Sequence, residues 1–243
     1  VTKGERAAFP QARVVALAEC GTHAMFAAKV GTYGQSEATL TEPLLQALEP
    51  GMLLTADRAF FSYALWRRAI GTGADLLWRV RTDSAGPKPT HLDDLADGSW
   101  LAHLRSNATA AARRQEPMLV RVVDYTIDDG RANAVSYRLF TTLTDPEEVS
   151  ASELAAAYTH RWEIEVAFDE LKTHQRGPRT VLRSKSPDLV LQEIWGHLCC
   201  HYAIRTLMTQ AAQHGGHDPD RVIIVAALRI TRQSIAHQGD CPP

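Results

Sequence analysis

The sequence is poor in the features that mark several large protein classes. Its four cysteines, Cys20, Cys199, Cys200 and Cys241, form no Cys-x-x-Cys pair, which argues against a structural zinc knot. A disulfide framework does not suit a chain of 243 residues, and reduced thiols fit a cytoplasmic setting. No apolar run reaches the roughly 18 residues that a membrane span needs, and no signal peptide opens the chain. No glycine-rich phosphate loop and no Gly-x-Ser-x-Gly elbow occurs, so nucleotide-loop and serine-hydrolase chemistry find no motif. Surplus positive charge is missing as well. The formal net charge is -2, so any attraction to nucleic acid has to be local. The chain opens on Val1 rather than Met, in the polar run Thr2-Lys3-Gly4-Glu5-Arg6, and we expect it to begin partway into a longer protein.

What is present is enough apolar material, 45% of residues, for one large core or a domain with an insertion. Two apolar runs, 12–20 and 22–30, meet at Gly21 and predict a buried hairpin. Residues 36–48 predict a helix with Ser36 as N-cap and Leu40, Leu44, Leu45 and Leu48 on one side. Residues 52–56 predict a short buried strand that ends on Asp57. A helix over about 61–72 and a strand over 75–81 follow, an order that indicates α/β. Residues 83–118 turn rich in Pro, Gly, Asp and Ala, and 119–127 and 134–144 predict paired strands around Asp128-Asp129-Gly130. From Ser150 on, helices are expected over about 150–175, 187–213 and 219–236. The expected organisation is a core portion (1–82), an inserted β-rich subdomain (83–149), a signature helix with a basic strip (150–186) and a helical C-terminal region (187–243).

Chemistry concentrates on the helix expected over about 152–173. On a regular α-helix Tyr158, Arg161, Glu165 and Lys172 fall within roughly 60° of one another, beside an apolar stripe of Ile164, Phe168 and Leu171. An ordinary solvated face with an Arg161–Glu165 ion pair would give the same pattern. The row, however, runs into a strip that holds Lys172, Arg176, Arg179, Arg183 and Lys185 and no acid. A carboxylate framed by cations in this way suits a metal beside a phosphate backbone. Asp57 taken alone fits a helix N-cap as well as a ligand. His197 and His201 lie four apart around Cys200, but no Glu follows His197, which favours helix packing over a metal site. Cys199 and Cys200 are expected in the core, as small apolar residues.

Tyr-x2-Arg-x3-Glu-x6-Lys, as Tyr158, Arg161, Glu165 and Lys172, resembles the signature of the insertion-sequence-four (IS-four) family of bacterial DDE transposases. The flanking text YTHRWEIEVAFDELKTH and the block LLTADRAFFSYALWRRA extend the resemblance, which covers about Phe9 to Arg232. It implies a ribonuclease-H-like core in which two Asp and one Glu hold two divalent ions, Mg²⁺ or Mn²⁺, for cutting and joining DNA. Asp57 then matches the second Asp and Glu165 the Glu, both as metal ligands and catalytic residues. Arg161 and Lys172 match residues that grip DNA phosphates, and Tyr158 a phosphate or positioning contact. Trp162 matches an aromatic that could support an extruded base, although a core tryptophan is the commoner role. The expected partners are double-stranded DNA and a second copy of the chain.

Two positions depart from the family pattern. Ala59 stands where Gly usually follows Asp-Arg. No Asp precedes the hairpin in Val1 to Ala8, so the first strand and first catalytic Asp are expected to be missing. Such a chain is expected to be inactive alone. The alternative reading is a non-catalytic DNA-binding or dimerising remnant, and a third is a nuclease without strand transfer.

Overall fold

The computed structural model describes residues 11–106, 109–127, 135–177 and 181–238. Their secondary structure is mixed α/β, in two compact units. One is built on Gly31–Arg161, the other on Val14–Val30 and the chain from Trp162 onward.

The first unit is organised by a sheet. Helix α1 (Glu37–Thr41) starts at Ser36, whose hydroxyl accepts from the Thr39 N–H at 3.1 Å, the expected cap. At Glu42–Ala47 it tightens into a 3₁₀ turn at Pro43, which has no N–H to continue an α-helix. Leu40, Leu44, Leu45 and Leu48 are all buried. Strand β3 (Leu53–Ala56) and strand β4 (Asp75–Val80) pair in parallel, and α2 (Tyr63–Ile70) connects them. Strands β5 (Thr90–Asp94), β6 (Trp100–Leu104), β7 (Met118–Ile127) and β8 (Val135–Thr141) continue the same sheet, with α3 (Ala110–Arg113) between β6 and β7. Among the described residues the order is β3-β4-β8-β7-β6-β5, antiparallel from β4 onward.

Residues 83–149 therefore do not close a sheet of their own. Strand β8 pairs directly with β4, in register from Leu77↔Thr141 to Val80↔Arg138. The expected strands at 119–127 and 134–144 are present as β7 and β8, while their Asp-Asp-Gly connection lies outside the described residues.

The sheet is covered on both faces where β4 runs. Leu76 and Trp78 face one side, where Trp66 of α2 meets Trp78 edge-on at 5.1 Å and Phe61 and Phe140 join. Leu77 faces the other side with Val123 and Leu139, under Leu154 and Tyr158 of α4 (Ala151–Thr159). Burial on both faces explains why β4 is apolar at three successive positions instead of alternating.

Helix α4 is fixed at its start by two devices. Ser150 and Glu153 form a reciprocal capping box. Asp97 accepts the Ala151 N–H at 2.6 Å and also pairs with Arg121. Arg121 is 0% exposed, and its other donors reach Ser99 and the carbonyls of Leu143, Asp145 and Val149. Burial pushes the Asp97 carboxyl up, but the Ser99 and Ala151 donors and the Arg121 charge outweigh it and hold its pKa down to about 2. Asp97→Ala strands the buried guanidinium and removes the helix contact. It is expected to destabilise this unit by about 3 kcal/mol, read as a lower urea midpoint at unchanged slope. A shift below about 1 kcal/mol would mean that the carbonyl ring alone satisfies Arg121.

The second unit is helical apart from the hairpin of β1 (Ala12–Ala18) and β2 (Met25–Thr32), which forms a two-stranded sheet. Its helices are α5 (Glu163–Asp169), α6 (Pro187–Gly215) and α7 (Ile224–Gln238). Met25 packs with Ala167, Leu171, Ile194 and Leu198, and Ile204 and Met208 pack with Ile224 and Leu228. Among the described residues no helix is long and apolar enough to cross a membrane.

Candidate active site

In the first unit the site is built at the end of β3. Asp57 follows Ala56, and the next helix begins only at Tyr63, where Ser62 caps it through the Leu65 N–H at 3.1 Å. Asp57 is thus not a helix cap. Its Oδ1 accepts the Arg58 N–H at 2.8 Å and lies 3.8 Å from Nη1 of Arg79. Its Oδ2 takes no hydrogen bond among the described residues, and the side chain is about one-third exposed. Tyr158 is buried against Leu77, Val123 and Leu139, and its hydroxyl donates to the Ala56 carbonyl at 3.4 Å. Burial pushes the Tyr158 hydroxyl well above the usual phenol range, so it stays a donor. The Arg161 guanidinium sits 5.8 Å from the centroid of the Tyr158 ring.

The expected single helix face is corrected by the backbone. The run from Ala151 to Gln175 is helical but not regular. A 3₁₀ turn occupies His160–Trp162, where the His160 N–H reaches the Ala157 carbonyl. A π turn occupies Glu170–Gln175, closed by the Arg176 N–H on the Leu171 carbonyl at 3.2 Å. The 3.6-residue repeat that would align Tyr158, Arg161, Glu165 and Lys172 is broken twice. Their burial differs accordingly: Tyr158 is buried, Arg161 is intermediate, and Glu165 and Lys172 are exposed.

In the second unit Glu165 lies on α5 and Lys172 on the π turn, with Lys172 Nζ 5.0 Å from the Phe168 ring centroid. Trp162 is 56% exposed, against the common expectation of a core tryptophan. Arg176 is half-buried, Arg183 and Lys185 are exposed, and Arg179 lies outside the described residues. Glu193 of α6 accepts the Arg183 and Ser184 N–H groups at 3.1 and 3.0 Å, which anchors the basic strip and holds its own carboxyl down to about 2. Cys199 and Cys200 are exposed, not core, because α6 buries the stripe through Ile194, Leu198, His201 and Arg205 instead. His201 is buried and His197 half-buried, and the carbonyl of His197 accepts from Gln175 at 2.9 Å, as packing roles require.

Sequence reasoning missed the group that holds α5 in place. Glu163 and Glu170 look solvent-facing in sequence, yet both are buried. Glu170 takes Arg205 on both oxygens, through Nε at 3.0 Å and through Nη2, and lies 3.4 Å from His201 Nε2. Glu163 accepts the Gly21 N–H in the hairpin turn. His23, a non-glycine residue at φ 56°, completes the group. Its Nδ1 faces Arg205 Nη2 at 2.6 Å and must accept, which leaves the Nε2 proton directed at Asp220, 3.2 Å away. Buried helical acids with basic partners elsewhere in the chain were the available signal, but no local pattern pairs them.

Asp57 and Glu165 are hard oxygen donors, the kind that divalent cations of the Mg²⁺ type take. The described residues hold no cluster of three or more His, Cys, Asp or Glu side chains suited to a metal. A carboxylate at the end of a parallel strand, an exposed helical glutamate and a basic strip that follows it in the chain are the residue types that phosphodiester-processing chemistry uses. Residues 2–203 match the transposase DDE domain model, and the chain belongs to that family. It is 30% identical over 241 residues to the transposase InsG for insertion sequence element IS4 of Escherichia coli (strain K12). That match covers 98% of this chain and 54% of InsG, so the chain spans about half the length of the curated relative it matches.

Proposed function

We propose that the chain serves metal-dependent DNA strand cleavage and strand transfer at the ends of an insertion sequence. Asp57 and Glu165 are its carboxylate ligands for two divalent ions, Mg²⁺ or Mn²⁺. The observation that carries this reading is Asp57: it ends a parallel strand, caps no helix and keeps one oxygen without a hydrogen bond among the described residues. Open α/β sheets bind ligands at this end of their strands. Such ions, when bound, stabilise the attacking and leaving oxygens of a phosphodiester displacement.

The core we infer is ribonuclease-H-like, a reading supported by the mixed sheet with a parallel β3–β4 pair joined through α2. Tyr158 acts as a positioning residue, since its hydroxyl bonds the carbonyl just before Asp57. Arg161 and Lys172 bind DNA phosphates, Arg176, Arg179, Arg183 and Lys185 track the backbone, and exposed Trp162 stacks on a base. Two copies are expected to hold paired ends in a synaptic homodimer.

This chain alone, with two of the three carboxylates, is expected to leave DNA carrying insertion-sequence ends uncut. Incubation of such DNA with a protein that joins this chain to the third carboxylate tests the reading. Cut and joined strands with Mg²⁺ or Mn²⁺, and none in EDTA, are expected. Binding that persists in EDTA with no cleavage in either metal would refute the catalytic reading and assign a DNA-binding module. Nicks without joined strands would confine the protein to nuclease chemistry.

A further inference from the structure

We infer that Arg79 is a DNA-phosphate-binding residue beside Asp57, presented on a stacked tyrosine platform. The inference rests on the reading of Asp57 as a metal ligand. Arg79 lies on β4, on the sheet face shared by Leu77, Tyr137 and Tyr125. Tyr125 and Tyr137 are register partners across β7 and β8, and their rings stack at 5.2 Å and 17°. The Arg79 guanidinium lies over Tyr137, 4.0 Å from the ring centroid. Stacking of this kind fixes the plane of the fork and leaves its N–H edge available.

That edge is underused. Arg79 is only 18% exposed, so most of its hydration is gone. Yet its one carboxylate contact, with Asp57, is 3.8 Å long, beyond hydrogen-bond range, and it makes no hydrogen bond among the described residues. Other arginines of the same sheet are saturated. Arg138 holds Asp124 through two bonds of 2.7 and 2.8 Å, and Arg121 fills its donors with Ser99, Asp97 and carbonyls. A mostly desolvated guanidinium with open donors calls for an anionic acceptor. A phosphodiester fits it best, because two of its oxygens match two parallel N–H bonds. Its position next to Asp57 places that phosphate at the reacting end of the strand rather than along the basic strip.

The test measures binding of a fluorescein-labelled DNA duplex to the intact protein by anisotropy, in EDTA and in Ca²⁺, across a salt series. Arg79→Gln is expected to weaken binding about tenfold and to lower the salt slope by about one. Arg79→Lys is expected to keep the slope and lose only a few-fold. Tyr137→Leu, which removes the platform and keeps the charge, is expected to weaken binding several-fold. Inorganic phosphate as competitor separates sources: DNA displaced only at high phosphate supports a DNA site, and equal competition refutes it. Unchanged affinity and slope in a folded Arg79→Gln protein would overturn the inference. So would unchanged DNA binding with weakened Mn²⁺ binding in the absence of DNA, since Arg79 would then only orient Asp57. If Asp57→Asn leaves Mn²⁺ affinity intact while Arg79→Gln still weakens DNA binding, the metal reading of Asp57 fails and the phosphate contact stands. A wild-type protein that binds no duplex overturns both.

Discussion

On the proposed metal-ligand reading, and with the third carboxylate present, Asp57→Asn and Glu165→Gln are each expected to lower metal-dependent strand cleavage by at least about 10³-fold. Removing one preorganised donor at a developing charge already costs about 10²–10³-fold, and a lost ligand charge displaces the cation as well. The fold should tolerate both changes. The amide oxygen introduced by Asp57→Asn would keep an acceptor for the Arg58 N–H, and Glu165 stands on the exposed side of α5. Urea midpoints near wild type, together with lost cleavage in Mg²⁺, are the expected pair of results. Cleavage within about tenfold of wild type for either variant would remove that residue from the ligand set.

Glu170→Ala should have the largest effect on stability, about 3–5 kcal/mol, because it leaves the Arg205 guanidinium buried and unpaired. The double change Glu170→Leu with Arg205→Met is expected to cost less than Glu170→Ala alone, since no isolated charge remains. A double variant that adds both losses would show that the pair contributes through packing alone. The pH dependence follows from the carboxyl. Burial raises its pKa, but the hydrogen bond at the His201 imidazole and the Arg205 charge and hydrogen bonds outweigh burial and lower it to about 2. The folded state therefore binds this proton less readily than the unfolded chain. Its stabilisation, on the order of 3 kcal/mol, is complete above about pH 5 and fades as pH falls toward 2. Urea melts at pH 7 and pH 3 are expected to converge for wild type and Glu170→Ala as acid removes the difference.

The elements that carry the candidate residues were legible in part because they declare themselves locally. A short apolar run that stops on Asp57, Ser36 ahead of a leucine periodicity and the spacing from Tyr158 to Lys172 depend on neighbours in sequence. The α/β class followed from the same local signals. Strand β5 escaped because Thr90–Asp94 is exposed throughout and has no alternation to detect. The joining of β8 to β4 is a pairing over about 60 residues that no local pattern specifies. Glu163 and Glu170 went unremarked for a related reason. Their partners Gly21, His23, His201 and Arg205 are distant in sequence, and a glutamate on a helix reads as solvated until its partner is known. The 3₁₀ and π turns that disrupt the helix repeat also leave no mark in composition.

Four of the five tryptophans fall into two contrasting optical populations, while Trp100, half-buried on β6 and stacked on His91, lies between them. Trp66 and Trp78 share a dry face of the sheet, edge to face, and report on whether that core is intact. Trp162 and Trp195 stand in water on the helical unit, within reach of a collisional quencher such as iodide. Loss of folding is thus carried by a red shift of the first pair, and a ligand covering Trp162 by protection of the second. Without any added label, emission read with and without the quencher separates a protein that has unfolded from one that has taken up DNA.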